Sequence, residues 1–506
     1  MLLYKEQAMD FLDPKKQRSH EIRLLVGYVL IGLAILISTV ILLYQAYGFG
    51  LDKDGEVVQS GLVFVASQPN GAEIVINNKR YKDTTNSRMQ LPEGEYQIAV
   101  RREGYREWQR KIDVKGGSVS RYDYPLLIPN TLTPAPVKNY TAAPAFITQS
   151  PDRRWVLVQQ PGSFLSFDMY DIGDPQQVAA KTTSFSIPST AVSTTQAGQS
   201  SWKLVEWSTD NRHVLFEHTY PEGTEYVLVD RSEPQNSLNL TKTLGLAAGQ
   251  ILTLRDKKFD KYYVFDPTAK TVSAGSVQEA IVLTPVLTGV LAFKSYGADI
   301  LLYATDTSAP AGKVLTMLRD GDVTYKIREL TVGAPYLLDL ARYDSEWYVA
   351  VGASAENKAY IFKNPQTTRK MDKVKNLVPV HILRVTAPNY LAFSSNTRFI
   401  MVENATSFAV YDAETDEGYT YATAQPLDPG VAHATWMDGH RISYVSGGKV
   451  VIFDYDNVNF QTLTAASAAY LPIFDRDYRN LYTLPAPAAN GQATFTATPL
   501  LTEEDR

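Results

Sequence analysis

Apolar and polar positions fall into distinct regimes along the chain. Residues 24–47 read LLVGYVLIGLAILISTVILLYQAY without a charge, Arg23 being the last charge before them and Asp52 the first after. At about 1.5 Å per residue, such a helix reaches roughly 36 Å, enough to cross a hydrocarbon core of about 30 Å with some tilt. The pattern predicts one transmembrane helix, with Tyr28, Tyr44 and Tyr47 at headgroup depth. From residue 55 onward the period changes to short alternating runs of Tyr, Val, Thr and Phe, the usage of half-buried strands. The prediction is an all-β protein carried on one N-terminal transmembrane helix.

Over residues 55–127, short strands are separated by Gly, Pro and Asn every ten or so residues, which predicts a small β-sandwich. The turn signals are ordered: Pro69-Asn70-Gly71-Ala72, then Pro92-Glu93-Gly94-Glu95-Tyr96, then Gly104-Tyr105. Each has a structural reading. Gly71 and Gly94 supply positive φ, Pro69 and Pro92 fix φ, and Tyr96, Tyr105 and Trp108 fill a small core. On Pro69, Gly71, Ala72, Pro92, Gly94, Tyr96, Gly104 and Tyr105, this stretch resembles the PEGA domain, named for a Pro-Glu-Gly-Ala tetrapeptide. Asn70 stands where the name has Glu. The resemblance implies a non-catalytic extracytoplasmic module of a bacterial surface protein, placed near a membrane anchor. Asp52-Lys53-Asp54-Gly55 reads as a turn, since the remaining ligands of a calcium loop are missing. Residues 128–148, with spaced Pro, Thr and Ala, predict a semi-extended linker.

Residues 149–501 contain a degenerate repeat. Ser150-Pro151-Asp152-Arg153-Arg154-Trp155 aligns with Ser208-Thr209-Asp210-Asn211-Arg212-His213 and Ser394-Ser395-Asn396-Thr397-Arg398-Phe399, each followed by an apolar run; a weaker copy begins at Trp436. A second apolar run closing on Asp trails most copies, at Asp171, Asp230, Asp266, Asp412 and Asp454. Ser394 and Trp436 lie about 42 residues apart, and a period of about 40–45 with several strands per unit suits a β-propeller. First-strand candidates near 150, 208, 251, 297, 343, 394, 436 and 474 favour eight blades, with seven the alternative. Ser150, Asp152, Arg154, Ser208, Asp210, Arg212, Ser394, Asn396 and Arg398 are read as structural turn residues. Their motif resembles the turns of TolB and related WD-repeat-like propellers, which implies a fold rather than a function. Residues 181–201, rich in Ser, Thr and Gln, predict a mobile loop, and residues 502–506 a frayed acidic tail.

Composition narrows the function. Net charge is −5 with no basic run outside the N-terminal flank, so nucleic acid is not an expected partner. Cysteine is absent, which excludes disulfides, thiolate metal sites and a cysteine nucleophile. Lys5, Lys15, Lys16, Arg18 and Arg23 precede the helix, whereas the first twenty residues after it hold only Lys53. By the positive-inside rule, residues 1–23 are a cytoplasmic segment and the bulk is extracytoplasmic. Ala46 and Gly48 form a small-x-small pair, the mark of signal-peptide cleavage, but the apolar run exceeds the usual h-region.

Signatures of chemistry are sparse. Neither Gly-x-Ser-x-Gly, a phosphate-binding Gly-rich loop nor His-Glu-x-x-His occurs. Ser200-Ser201-Trp202-Lys203 is a Ser-x-x-Lys, but the Lys-Thr-Gly element of penicillin-binding enzymes is missing. His20, His213, His218, His381, His433 and His440 show no metal-ligand spacing. No catalytic, cofactor or metal residue is assigned. The expected function is a single-pass membrane-anchored binding or scaffold protein whose propeller face meets a protein or envelope polymer. The alternative is an envelope polysaccharide hydrolase or lyase using propeller-face carboxylates; a third reading is a sensory or transport-associated subunit. The sequence leaves open the ligand, the binding face and the oligomeric state.

Overall fold

The computed structural model describes residues 14–46, 48–51, 57–174, 181–194, 200–278, 284–367 and 377–505. The chain forms two compact units, Met1–Leu127 and Ile128–Arg506.

In the first unit a helix runs over Pro14–Ala46, starting about ten residues before the apolar stretch. Pro14 suits a first helical position, and the Lys, Gln, Arg and Glu that follow are good helix formers. The 29 residues Arg18–Ala46 are long and apolar enough to cross a membrane, and none of their most apolar window is buried. Leu25, Leu36 and Leu42 are among the exposed side chains. The predicted end at Tyr47 and the turn at 52–55 lie outside the described residues.

Two four-stranded sheets follow. One pairs Phe49–Leu51, Val57–Val65, Ser87–Pro92 and Val119–Tyr122; the other pairs Lys79–Thr84, Glu73–Ile76, Gly94–Arg101 and Trp108–Val114. Their facing residues, including Val63, Val65, Ile74, Met89, Ile98, Val100, Trp108 and Ile112, form one core. Alternation along Trp108–Val114 puts every second residue inward, as a half-buried strand requires. Gly71 and Gly104 adopt φ of 74° and 80° at turns, and Ala72 and Tyr105 are buried beside them. The Tyr96 hydroxyl donates to the Pro92 carbonyl at 2.9 Å, tying the strand to the turn before it.

The second unit is a β-propeller. Among the described residues it contains eight four-stranded antiparallel sheets. Their first strands are Ile147–Gln149, Ser201–Trp207, Ile251–Leu254, Val290–Tyr296, Tyr336–Tyr343, Tyr390–Phe393, Thr435–Trp436 and Ile473–Phe474. Neighbouring sheets share buried cores. Phe167, Trp202 and Phe216 join the first sheet to the second, Leu215 and Tyr262 the second to the third, and Leu318 and Val349 the fourth to the fifth. Tyr140, Val158, Tyr170, Tyr482 and Phe495 join the eighth sheet back to the first, so the ring closes.

Closure corrects the reading of residues 128–148 as a linker. Ala135–Tyr140 is a strand that pairs antiparallel with Ala493–Pro499 and completes the eighth sheet. The N-terminal piece of the unit therefore supplies the outer strand of its last sheet. Its prolines escaped recognition as strand because an edge strand tolerates them. The 181–201 loop is also corrected. Lys181–Ser186 is the outer strand of the first sheet, and its Ser/Thr content reflects an exposed edge. Ile187, Ala191 and Val192 beyond it are buried in the core shared with the second sheet. Residues 195–199 of that stretch lie outside the described residues. Glu503–Asp505 in the predicted frayed tail form a short 3₁₀ turn.

Candidate functional site

The repeat turns join the first strand of a sheet to its second. In the first sheet, the Asp152 carboxylate accepts from the Ser150 hydroxyl and the Arg154 N–H, while the Trp155 N–H donates to Ser150 Oγ at 2.9 Å. Asn396 plays the same part in the sixth, accepting from Ser394 Oγ at 2.7 Å and the Arg398 N–H at 3.2 Å. In the second, Asp210 accepts from the Arg212 and His213 amides, and the Ser208 amide donates to the His213 carbonyl. The intervening residue takes a left-handed φ: 60° at Arg153, 55° at Asn211 and 61° at Thr397. Side-chain acceptors thus satisfy the amides that a tight turn leaves free.

The arginine of each copy then reaches the Asp that ends the third strand. Arg154 donates two bonds to Asp171 at 2.9 and 2.8 Å, and Arg212 two to Asp230 at 2.8 and 2.5 Å. Arg398 donates to Asp412 at 2.8 and 2.6 Å. In the seventh sheet Arg441 bonds Asp438 and lies 3.5 Å from Asp454. The Arg154 guanidinium holds Asp171 below the usual carboxylate range. Asp266 pairs with no arginine among the described residues and instead accepts from Gln250 and two amides of its own turn. The recurring carboxylates are therefore brought together with cations of their own sheets. The structure does not pair them with one another across a face.

Neighbouring turns also touch. Asn211 accepts from the Asp152 amide at 3.1 Å, the Thr209 amide donates to the Lys257 carbonyl at 2.9 Å, and Arg255 reaches Asp299 at 2.7 Å. This puts the turns side by side around one mouth of the ring.

Inside that mouth lies the candidate site. A cavity of about 870 Å³ is lined by first strands of the second to sixth sheets and by turn residues Thr209, Asp256, Lys257 and Gly297. Phe265, Phe293, Tyr296 and Phe393 give it aromatic surface, with Phe265 and Phe293 edge-to-face at 5.7 Å. Two acidic side chains enter from different sheets. Burial pushes the Glu206 carboxyl up, against the pull of Lys257, the Leu254 N–H at 3.2 Å and Lys294. Burial likewise raises Asp339, whose Oδ1 lies 3.7 Å from the Lys294 ammonium and whose Oδ2 accepts from the Phe393 N–H at 3.4 Å. Lys294 thus acts on both carboxyls. The Thr253 hydroxyl on the same wall is buried and has no hydrogen-bond partner among the described residues. A second cavity of about 400 Å³, lined by first strands of the first, second, seventh and eighth sheets, is more apolar, with Ile147, Leu204, Trp436 and Ile473.

Backbone irregularity builds the larger cavity. The register of Ser201–Trp207 slips between Leu204 and Glu206, and that of Val290–Tyr296 between Val290 and Ala292. Each bulge turns two successive residues toward the interior: Val205 with Glu206, and Leu291 with Ala292. Aromatic walls with three acids, Glu206, Asp256 and Asp339, against two amines, Lys257 and Lys294, suit an uncharged or cationic ligand bearing several hydrogen-bond donors. None of Glu206, Lys294 and Asp339 stood out in the sequence, where a bulge leaves no mark. The sequence-predicted turn residues surround the mouth without lining the acidic pair.

The other candidate groups lie elsewhere. Lys203 of the Ser-x-x-Lys stretch pairs with Glu217 at 3.5 Å. His213 and His218 take opposite faces of His213–Tyr220. His213 stacks on Phe259, and His218 is fully buried with its Nδ1 2.8 Å from Glu225. Among the described residues, no group of three or more His, Asp or Glu could hold a metal ion.

No curated protein matches the chain. Among solved structures, the Dos1 propeller is similar over 73% of this chain and 96% of its own, at 12% identity and a TM-score of 0.43. The Cps50 (Swd1) β-propeller domain from Myceliophteria thermophila is similar over 60% of this chain and 100% of its own, at 10% identity and a TM-score of 0.33. The uncharacterized protein lmo1340 from Listeria monocytogenes covers 65% of this chain and 92% of its own, at 12% identity and a TM-score of 0.39. Residues 60–128 match the PEGA domain family.

Proposed function

We propose that this chain is a single-pass membrane-anchored binding or scaffold protein, with a PEGA sandwich and an eight-bladed propeller outside the cytoplasm. The observation that carries the reading is the Arg18–Ala46 helix. It holds a long apolar surface that no other part of the described chain covers, beside two units that bury their own apolar residues in dedicated cores. The excess of Lys and Arg before the helix supports a cytoplasmic N-terminus. The mouth ringed by the repeat turns is the recognition face, and the aromatic cavity within it receives part of a protein or an envelope polymer.

The test has two arms. Alkaline carbonate should leave the full chain in the membrane pellet and release a chain starting at residue 48. A photo-crosslinker at Tyr296, on the cavity wall, should trap a partner that the same group at Val323 does not. Release of the full chain by carbonate would refute the anchor, and equal trapping at both positions would refute the face.

Two acids in one cavity favour a second reading, hydrolysis or lysis of an envelope polysaccharide by Glu206 and Asp339, both of whose carboxyls burial raises. Cleavage of purified envelope glycan by the chain, abolished in Glu206→Gln and Asp339→Asn, would replace the first reading with this one.

A further inference from the structure

Away from the central cavity, a cleft of about 420 Å³ lies between the fourth and fifth sheets, lined by Lys313, Arg328, Glu329, Thr331, Glu356, Lys358 and Tyr360 with Ala355. It differs from the central cavity in sign. We propose that this cleft binds the phosphate group of a phosphate ester, with Arg328, Lys313 and Lys358 as its ligands.

The strand Val323–Thr331 creates the cleft by an irregularity. Thr316 pairs with Arg328 and Met317 with Lys326, so Ile327 is the extra residue of a bulge. Burial follows: Tyr325 and Ile327 face inward, but the next inward residue is Leu330, and the alternation has slipped by one. Arg328 and Glu329 therefore both emerge at the surface, where a regular strand would have sent them to opposite faces.

Each carboxylate in the cleft is engaged. Glu329 is paired with Lys326. Glu356 accepts from the Thr331 N–H at 2.7 Å and the Tyr360 hydroxyl at 2.8 Å. The Arg328 guanidinium is not engaged. Its Cζ lies over the Tyr360 ring, 3.5 Å from the centroid, and among the described residues it has neither a hydrogen-bond acceptor nor an ion-pair partner. Its Nε is buried in that state. Among the described residues, Lys358, 5.5 Å from the same ring, lies within ion-pair distance of no carboxylate although its charge acts on Glu356, and the Lys313 ammonium, whose charge acts on Glu329, donates to the Thr331 hydroxyl at 3.3 Å.

A buried guanidinium N–H without an acceptor is costly, and a guanidinium stacked on an aromatic ring presents its remaining donors in a fixed plane. Counting Lys326, four cations face two carboxylates. A phosphate dianion matches the excess and supplies several acceptors, whereas a carboxylate supplies half the charge and two oxygens.

Isothermal titration of the full chain in detergent, at constant ionic strength, tests this. The probes are glycerol 1-phosphate, inorganic phosphate and acetate. The expected result is saturable binding of glycerol 1-phosphate at least as tight as that of inorganic phosphate, with acetate at least tenfold weaker. Arg328→Gln and Lys358→Gln should each weaken it tenfold or more. Lys363→Gln, on the same strand as Lys358 but outside the cleft, should stay within twofold. If Arg328→Gln unfolds by circular dichroism, Lys358→Gln carries the decision. Three results overturn the proposal: no binding of glycerol 1-phosphate, inorganic phosphate bound with the ester excluded, or equal affinity in Lys358→Gln and Lys363→Gln.

Discussion

Replacing Asp168 with alanine tests how the propeller ring is locked. Asp168 sits on the third strand of the first sheet and is fully buried. Its carboxylate accepts from Lys138 at 2.6 Å and Tyr140 at 2.9 Å, both on the strand that completes the eighth sheet, and from Gln160 at 2.7 Å and Ser184 at 2.8 Å on its own. One side chain thus ties the N-terminal strand of the unit to the sheet that follows it. Burial alone would raise its pKa, but the four donors outweigh burial and lower it. Breaking a buried ion pair by removing one partner costs about 3–5 kcal/mol. The lysine left behind is 38% exposed and can turn to water, so the lower part of that range applies, about 3 kcal/mol. Asp171, three residues on, makes two bonds to an Arg154 that is 53% exposed. Removing Asp171 should cost about 0.5–1 kcal/mol, as for surface pairs. The assay is urea unfolding of a fragment starting at residue 48, followed by tryptophan fluorescence at pH 7. A pH series adds a second check. A carboxyl whose folded pKa is lowered contributes stability that is present above its unfolded value of about 3.9 and is lost as pH falls through the folded value. The parent should therefore lose stability below about pH 4 more steeply than Asp168→Ala. A cost for Asp168→Ala no larger than that for Asp171→Ala, or parallel acid limbs, would refute the lock.

Other outcomes follow from the same physics. Arg398→Lys should destabilise the sixth sheet by about 1–2 kcal/mol in urea unfolding, because an ammonium cannot make the two-bond fork to the buried Asp412. Glu225, held down to about 2 by His218, Ser193 and Asn239 against its burial, gives stability complete above about pH 4.3 and lost toward pH 2. Glu225→Gln should flatten that limb in an acid titration followed by circular dichroism. Glu206→Gln should raise the unfolding midpoint at pH 7, since burial penalises the charge and glutamine keeps an acceptor for the Leu254 N–H. A chain lacking residues 1–47 should be soluble with strand-type circular dichroism, and aggregation without strand signal would count against two self-contained units.

The sequence made the propeller legible through its second and third strands. Those strands are buried on both faces, so Trp155–Gln159 and Phe399–Glu403 read as apolar runs, and the turn before each carries side chains that the backbone needs. The first strands were legible in position but not in extent. Thr435–Trp436 and Ile473–Phe474 are two residues long, too short for a period of two to register, and of the eight positions counted as first strands four (251, 343, 436 and 474) fall in those strands while 150, 208, 297 and 394 fall in the turns just after them. The outer strands were misread where their composition was that of a loop, as at Lys181–Ser186 and Ala135–Tyr140. The candidate site was illegible for a related reason. Its acids are isolated in sequence on strands that only ring closure brings together, and the bulge that exposes Glu206 depends on pairing with the strand His213–Tyr220.

The direction of the acid shifts separates scaffold from site. Asp168, Glu225 and Asp230 are buried, yet their donors outweigh burial and all three are lowered. Glu206 and Asp339 are raised because their donors are too few. Glu403 and Asp475 share that direction, but they are sealed at 0% and 1% exposure and line neither central cavity. Glu206 and Asp339 open onto a cavity, so a ligand can supply the missing donors. A ligand that does so favours the ionised carboxyls and must displace a proton wherever a carboxyl was protonated. Its affinity should therefore rise with pH through the raised carboxyl range and level off above it. Lys294 and Lys257 also line the cavity, and Asp256 there is already paired with Lys258 at 2.8 Å. Glu206→Gln should remove part of that slope while keeping binding at low pH. A pH-independent affinity in the parent chain would mean that the acids serve the walls of the cavity and not its occupant.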